Sequence, residues 1–458
     1  MRGTDRRSAG SASASRVRRY VGAAAAVALG LLVAGCTNGP GNQPPPGQAG
    51  GGPTASASAS AAALAADLTI TPANGSRNVE PGAGITVTAT QGKVTNVTVK
   101  TSADPVTGTL SDGGQAWHSL WALNTGQTYT VTATGAIDGQ TVTSTSTFST
   151  LTPTQTFSTE IYEGYDQTYG VGMPIMLIFS QPIINRAAVE RSLELTTSNP
   201  VVGAWYWDGN EDLNFRPRDY WPPNTTVSFF GHLNGVEAAP GVYATADLTQ
   251  TFYIGQSVIA VASTTTHYTQ IYINGKLTYN WPISTGRPSL PTPDGSYLTV
   301  EKSNPVDMIG VGPPGSPGYY NELVYYAVRF TFSGDYYHSA PWSVVDQGTT
   351  NVSHGCVNLP PDDAVTYYNL AVPGDPITIT ASTAAGKWDD GWTEWFLSWS
   401  QYLKGSALGE AVEAGPQGST FVSPASLPPD TAVAPLGTAE SGNWYANTSN
   451  IASIGSIG

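Results

Sequence analysis

Between Asp67 and about Pro153 apolar and polar residues alternate in short runs, LTITP, ITVTAT, KVTNVTVKTS, TYTVTATG and TVTSTSTFST, broken by Gly, Asn and Asp. A period of two with one apolar face is what a half-buried strand requires, and turn residues at this spacing predict a small β-sandwich. Residues 154–253 repeat the rhythm in IMLIFS, SLELTTS, VGAWYW, TTVSFFG and TQTFYIG. The two stretches, 66–153 and 154–253, read as tandem Ig-like sandwiches without the usual disulfide, acting as a spacer. Trp205, Trp207 and Trp221 are expected in the core or a domain interface, a sugar-stacking face being the alternative. A third β-rich unit, 254–382, contains SVIAVAS, YTQIYI and KLTYNW, with Asn274-Gly275 as a hairpin turn. Further strands are expected in SYLTVE, VYYAVRFTF and ITITAS, with one short helix after Pro361 begun by Asp362 and Asp363. Over 383–405, Trp388, Trp392, Trp395, Trp399 and Tyr402 recur at helical spacing, which predicts a short helix packed on a neighbouring domain, with glycan stacking as the sharper alternative. Residues 406–458 return to Ala, Gly, Ser and Pro and predict a disordered tail.

Composition supports a mostly β chain. Fifty-one Gly and 34 Pro among 458 residues exclude a helix bundle. The N-terminus changes the picture. Six arginines precede an apolar run from Val21 to Ala34, too short to span a bilayer and read as an export signal over 1–36. It ends in Val33-Ala34-Gly35-Cys36, which resembles the bacterial lipobox, so Cys36 is expected to become the lipidated first residue. Cleavage there takes the net charge from −14 to −19, which repels phosphate backbones and argues against nucleic acid as a partner. Residues 37–65 carry no charge and read as a disordered linker off the outer face of a bacterial membrane.

The reactive groups gather between His338 and Asn358, HSAPWSVVDQGTTNVSHGCVN. With Cys36 lipidated, Cys356 is the one remaining thiol and has no disulfide partner in an exported protein. A lone cysteine is most often an inert buried residue. Here it follows His354-Gly355, with His338 eighteen residues upstream.

His338, 14 intervening residues, then Ser353, His354, Gly355, Cys356, Val357 and Asn358 resembles the catalytic motif of the L,D-transpeptidases of bacterial cell-wall synthesis at every position. HSAPW at His338–Trp342 resembles the membrane-anchored branch with N-terminal Ig-like domains. The resemblance implies a β-rich catalytic domain and acyl transfer through a Cys356 thioester on a peptidoglycan tetrapeptide stem. Release of D-alanine and a 3→3 cross-link would follow, without cofactor or metal, in a chain expected to be a monomer. It also implies carbapenem acylation. His338 would serve as base, oriented by the main-chain carbonyl of Ser339, with His354 as buttress or alternative base. Gly355 would let the backbone approach the reacting carbonyl, and the amides near Gly355 and Cys356 would face the oxyanion. The resemblance places Tyr320, Ser333, Gly334, Trp342, Ser353 and Asn358 along the substrate cleft. Two other classes remain open at this point. A sortase-like protein anchor would need an arginine downstream of the cysteine, whereas Arg329 lies upstream. A wall-binding Ig-type lipoprotein would not need an intact SHGCVN.

Overall fold

The computed structural model describes residues 67–310, 313–316 and 319–427. The expected export signal with Cys36, the linker over 37–65 and residues 428–458 lie outside the described residues.

The chain is mostly β. In the first sandwich a four-stranded sheet (Leu68–Thr71, Thr86–Ala89, Ala116–Ser119, Gly108–Leu110) faces a three-stranded one (Lys93–Lys100, Thr128–Ile137, Gln140–Ser149). Alternation sets the core: Tyr129, Val131 and Ala133 are fully buried while the threonines between them face outward. In the second sandwich Trp205, Trp207 and Trp221 join one apolar cluster with Phe215 and Phe229. The indole N–H of Trp221 donates to the Met173 carbonyl at 2.6 Å. These rings are packing, not a sugar platform.

The expectation of a disordered tail from 406 onward is overturned for the described part. Ala411–Gly415 pairs antiparallel with Val201–Asp208, Val201 opposite Ala414 and Gly203 opposite Val412, and Gly418–Val422 extends the same six-stranded sheet. The chain therefore returns from the third domain to complete the second. A bare sheet edge offers a row of unpaired N–H and C=O groups, which a strand of small residues can satisfy whatever its composition.

The third domain has two five-stranded sheets. One runs Lys276–Pro282, Tyr268–Ile273, Val258–Ser263, Pro376–Thr380, Gly295–Leu298. Asn274 and Gly275 make the hairpin between Tyr268–Ile273 and Lys276–Pro282 with φ of 48° and 77°, a turn with both central residues left-handed. The other runs Glu301–Ser303, Asn321–Arg329, Tyr336–Ser339, Val357–Leu359, with Val306–Ile309 also on Asn321–Arg329. The helix Pro361–Leu370 buries Ala364 and Tyr367, in one apolar cluster with Val328 and Tyr337 of the second sheet.

The aromatic segment over 383–405 is not one helix. A short turn, Glu394–Phe396, is followed by extended Leu397 and a helix, Trp399–Leu403, that starts at a Ser398 capping box. Trp392 and Trp395 enter the core of the second sandwich, the Trp395 indole N–H donates to the Gly172 carbonyl at 2.8 Å, and the Arg216 guanidinium lies over Trp395 at 4.4 Å and Tyr402 at 4.5 Å. The rings clamp the third domain to the second.

Candidate active site

Two neighbouring strands assemble the site. Tyr336–Ser339 and Val357–Leu359 run parallel, with His338 opposite Asn358 and Tyr337 opposite Val357. By that register Cys356, the residue just before the second strand, falls opposite Tyr336, two positions along from His338. Both line a cleft of about 240 Å³ with Met308, Tyr320, Glu322, Val324, Trp342, Val352, Ser353, His354 and Asn358.

His338 is buried, and its Nδ1 lies 3.0 Å from the Ser339 carbonyl oxygen. A carbonyl only accepts, so Nδ1 carries the proton and Nε2 keeps its lone pair. Burial pushes the imidazole down to about 4, so it is neutral at pH 7. Half-exposed Trp342 stacks on it at 5.9 Å. Burial, then the Asp335 carboxylate, pushes the Cys356 thiol up to about 12, against backbone hydrogen bonding at Tyr336 and Cys356. The sulfur touches Met308 Sδ at 3.9 Å and the Gly334 carbonyl oxygen at 3.8 Å. Both shifts disfavour charge, so the free enzyme holds a neutral thiol and a neutral imidazole rather than an ion pair.

The loop before the cysteine is held by Ser353, whose hydroxyl donates to the Cys356 carbonyl at 2.6 Å and accepts the Gly355 N–H at 3.2 Å. The Gly355 amide is therefore engaged in this structure. Gly355 has φ of 138°, and a Cβ there would stand 2.2 Å from Asp335 Oδ1, so the missing side chain makes room for a carboxylate. The His354 ring packs against Tyr320 at 4.4 Å with the two planes tilted by 32°, and its Nε2 lies 2.9 Å from Arg287 Nη1. Guanidinium only donates, so Nε2 is the acceptor. Asn358 donates to Ser343 Oγ at 2.9 Å.

Of the residues expected along the cleft, Tyr320, Trp342, Ser353 and Asn358 come together with His338, His354 and Cys356. Ser333 does not line it: its N–H and hydroxyl both bind Asp390 at 2.6 Å. Gly334 presents its carbonyl, and Ser339 acts through its backbone oxygen. Arg329, weighed against the sortase alternative, is tied to Glu301 and to the carbonyls of Thr331 and Phe332.

Residues 257–379 match the L,D-transpeptidase catalytic domain and residues 76–237 the bacterial Ig domain, the latter running across both sandwiches. The chain is 33% identical over 351 residues to L,D-transpeptidase 2 of Mycobacterium tuberculosis, covering 75% of this chain and 86% of that one. The chain belongs to the L,D-transpeptidase family. It is likewise 40% identical over 214 residues to L,D-transpeptidase 1 of the same organism, covering 46% and 79% of the two chains. A solved L,D-transpeptidase, LdtMt1 in complex with imipenem, is 37% identical with a TM-score of 0.43, over 50% of this chain and 100% of that one. As a member of the family this L,D-transpeptidase is a cysteine-dependent enzyme of peptidoglycan cross-linking.

The motif left out part of the wall. Met308, Glu322 and Val324 reach the cleft from a hairpin whose strands pair Met308 with Glu322. Tyr320, Glu322 and Val324 follow one another at a period of two, which was readable once Tyr320 was assigned. Arg287 and Asp335 carried no such signal. Burial and the Asp390 charge push the Asp335 carboxyl up to about 6.

Proposed function

We propose that this L,D-transpeptidase forms 3→3 cross-links with Cys356 as nucleophile and His338 as general base, acting from the outer face of the cell membrane on a lipid at Cys36. As Cys356 Sγ bonds to the carbonyl carbon of the third stem residue, its proton passes to His338 Nε2. The tetrahedral intermediate collapses with cleavage of the amide C–N bond, and His338 returns the proton to the departing D-alanine amine. The thioester is then attacked by the side-chain amine of a second stem. That amine's proton goes to His338 and on to the sulfur as the C–S bond breaks. Because burial opposes a resting thiolate, the proton transfer accompanies attack rather than preceding it. With the Gly355 amide held by Ser353, the Cys356 amide is the donor left for the oxyanion. Carbapenems would acylate the same sulfur.

The reading is carried by one observation: Cys356, two positions along the parallel pairing from His338, lines the same cleft as this histidine, whose Nδ1 is tied to the Ser339 carbonyl. Intact mass after incubation with a tetrapeptide stem is expected to give a thioester adduct in the wild type and none in Cys356→Ser. His338→Ala is expected to slow its formation by about 10²–10⁴. An adduct that survives Cys356→Ser overturns the assignment.

A further inference from the structure

Resting on the reading above, we propose that Glu322 is the residue that selects the acceptor: its carboxylate binds the ammonium of the incoming stem's side chain beside the Cys356 thioester. Glu322 lies opposite Met308 in the antiparallel pair Val306–Ile309 and Asn321–Arg329, and Met308 Sδ touches Cys356 Sγ at 3.9 Å. Directly opposed residues have Cβ atoms about 4.5–5.5 Å apart. The carboxylate is thus one side chain away from the one that contacts the sulfur. It is exposed at the mouth of the cleft, between Tyr320 and Val324 on the same strand face.

Among the described residues lining the cleft, Glu322 is the one Asp, Glu, Lys or Arg, and none of them is a Lys or Arg that could answer it. His338 is neutral, and the Arg287 guanidinium, which is not part of the lining, donates to His354 Nε2; burial, then that charge, hold His354 below its usual range against the opposing Glu322 charge. Asp335, behind the Gly355 backbone, adds a second carboxylate to the surroundings. A carboxylate at the mouth of a cleft whose other lining groups are neutral favours a ligand that brings its own positive charge. The acceptor of this reaction has such a group, since an aliphatic amine is an ammonium at neutral pH. Holding it there raises its local concentration against water. It becomes a nucleophile once one proton is lost to solvent; the neutral amine then attacks, the N–C bond forming and the C–S bond breaking while its second proton passes through His338 to the departing sulfur. Glu322 therefore decides how the thioester divides between cross-link and hydrolysis.

The test follows the fate of a preformed acyl-enzyme at saturating donor, for the full chain and for Glu322→Gln. The ratio of aminolysis to hydrolysis with a stem bearing a side-chain amine is expected to fall about tenfold in the variant, the loss of about 1.4 kcal/mol of binding. Glu322→Asp should restore part of it. With hydroxylamine, a nucleophile uncharged at neutral pH, the two enzymes should divide alike. An unchanged ratio with the amine stem, or an equal fall with hydroxylamine, overturns the proposal. Imipenem adduct formation in the wild type separates the two claims: if no adduct forms at Cys356, the proposed function has failed instead.

Discussion

Ending the chain at Gly405 should unfold the second sandwich far more easily, although the residues removed touch nothing in the cleft. Glu190 is fully buried, and its carboxylate accepts from Trp207 Nε1 at 2.7 Å, Ser406 Oγ at 2.7 Å, the Ala407 N–H at 2.6 Å and the Leu408 N–H at 3.3 Å. Three of the four donors come from the returning segment. A buried charge stripped of partners costs about 3–5 kcal/mol, a large share of the roughly 5–15 kcal/mol that holds a domain. At about 2–4 °C per kcal/mol, the expected fall in Tm is roughly 6–20 °C. Near-UV circular dichroism on heating, to which Trp205, Trp207 and Trp221 of this sandwich contribute, reads it. A chain ending at Leu427 keeps all four donors and is the reference. Glu190→Leu in the shortened chain should recover part of the loss, because an apolar side chain needs no donors. Equal Tm values for chains ending at 405 and 427, or no recovery with Glu190→Leu, would refute the argument.

Other consequences are open to measurement. Glu163 and Glu394 are buried, each has an oxygen without a partner, and burial pushes them up to about 8 and about 7 from an ordinary 4.5. The folded state keeps protons that the unfolded chain gives up, so their contribution is complete below about pH 4.5, declines as pH rises and is gone above about 8. Tm should drop between pH 5 and 8.5, and Glu163→Gln should flatten the slope; parallel slopes would count against it. Gly355→Ala should both destabilise the domain and suppress imipenem acylation, since the new Cβ meets the Asp335 carboxylate at a backbone angle that costs about 1–3 kcal/mol for any other residue. Adding Asp335→Ala should relieve the contact but not the angle, giving partial recovery of Tm; full recovery would mean the angle is not strained.

What could be read in advance was local. Alternation in Thr128–Ile137, the Asn274-Gly275 turn and the acidic start of the helix at Pro361 depend on neighbours within a few positions, and each appears as an element. The aromatic period over 388–402 marked a buried face correctly but not its form, because Leu397 breaks the helix where the rings must reach different parts of two domains. Ala411–Gly415 was unreadable for another reason. Its strand exists because Val201–Asp208, more than two hundred residues earlier, leaves an edge open, and no property of the segment itself reports that.

The same division runs through the site. His338, His354 and Cys356 stand in a spacing that chemistry constrains, whereas Asp335 acts through space on Gly355 and Cys356 across a strand pairing. Its effect opposes the nucleophile: a carboxylate beside a buried thiol raises the cost of the thiolate. A site tuned only for a reactive sulfur would have an apolar or cationic group there. With a second acid, Glu322, at the mouth, the arrangement makes better sense for the second half of the reaction, where the sulfur is already acylated and the incoming group is a cation. Negative charge then attracts the acceptor and no longer opposes an anion on the sulfur. The electrostatics of this cleft accordingly suit the acyl-enzyme better than the free enzyme.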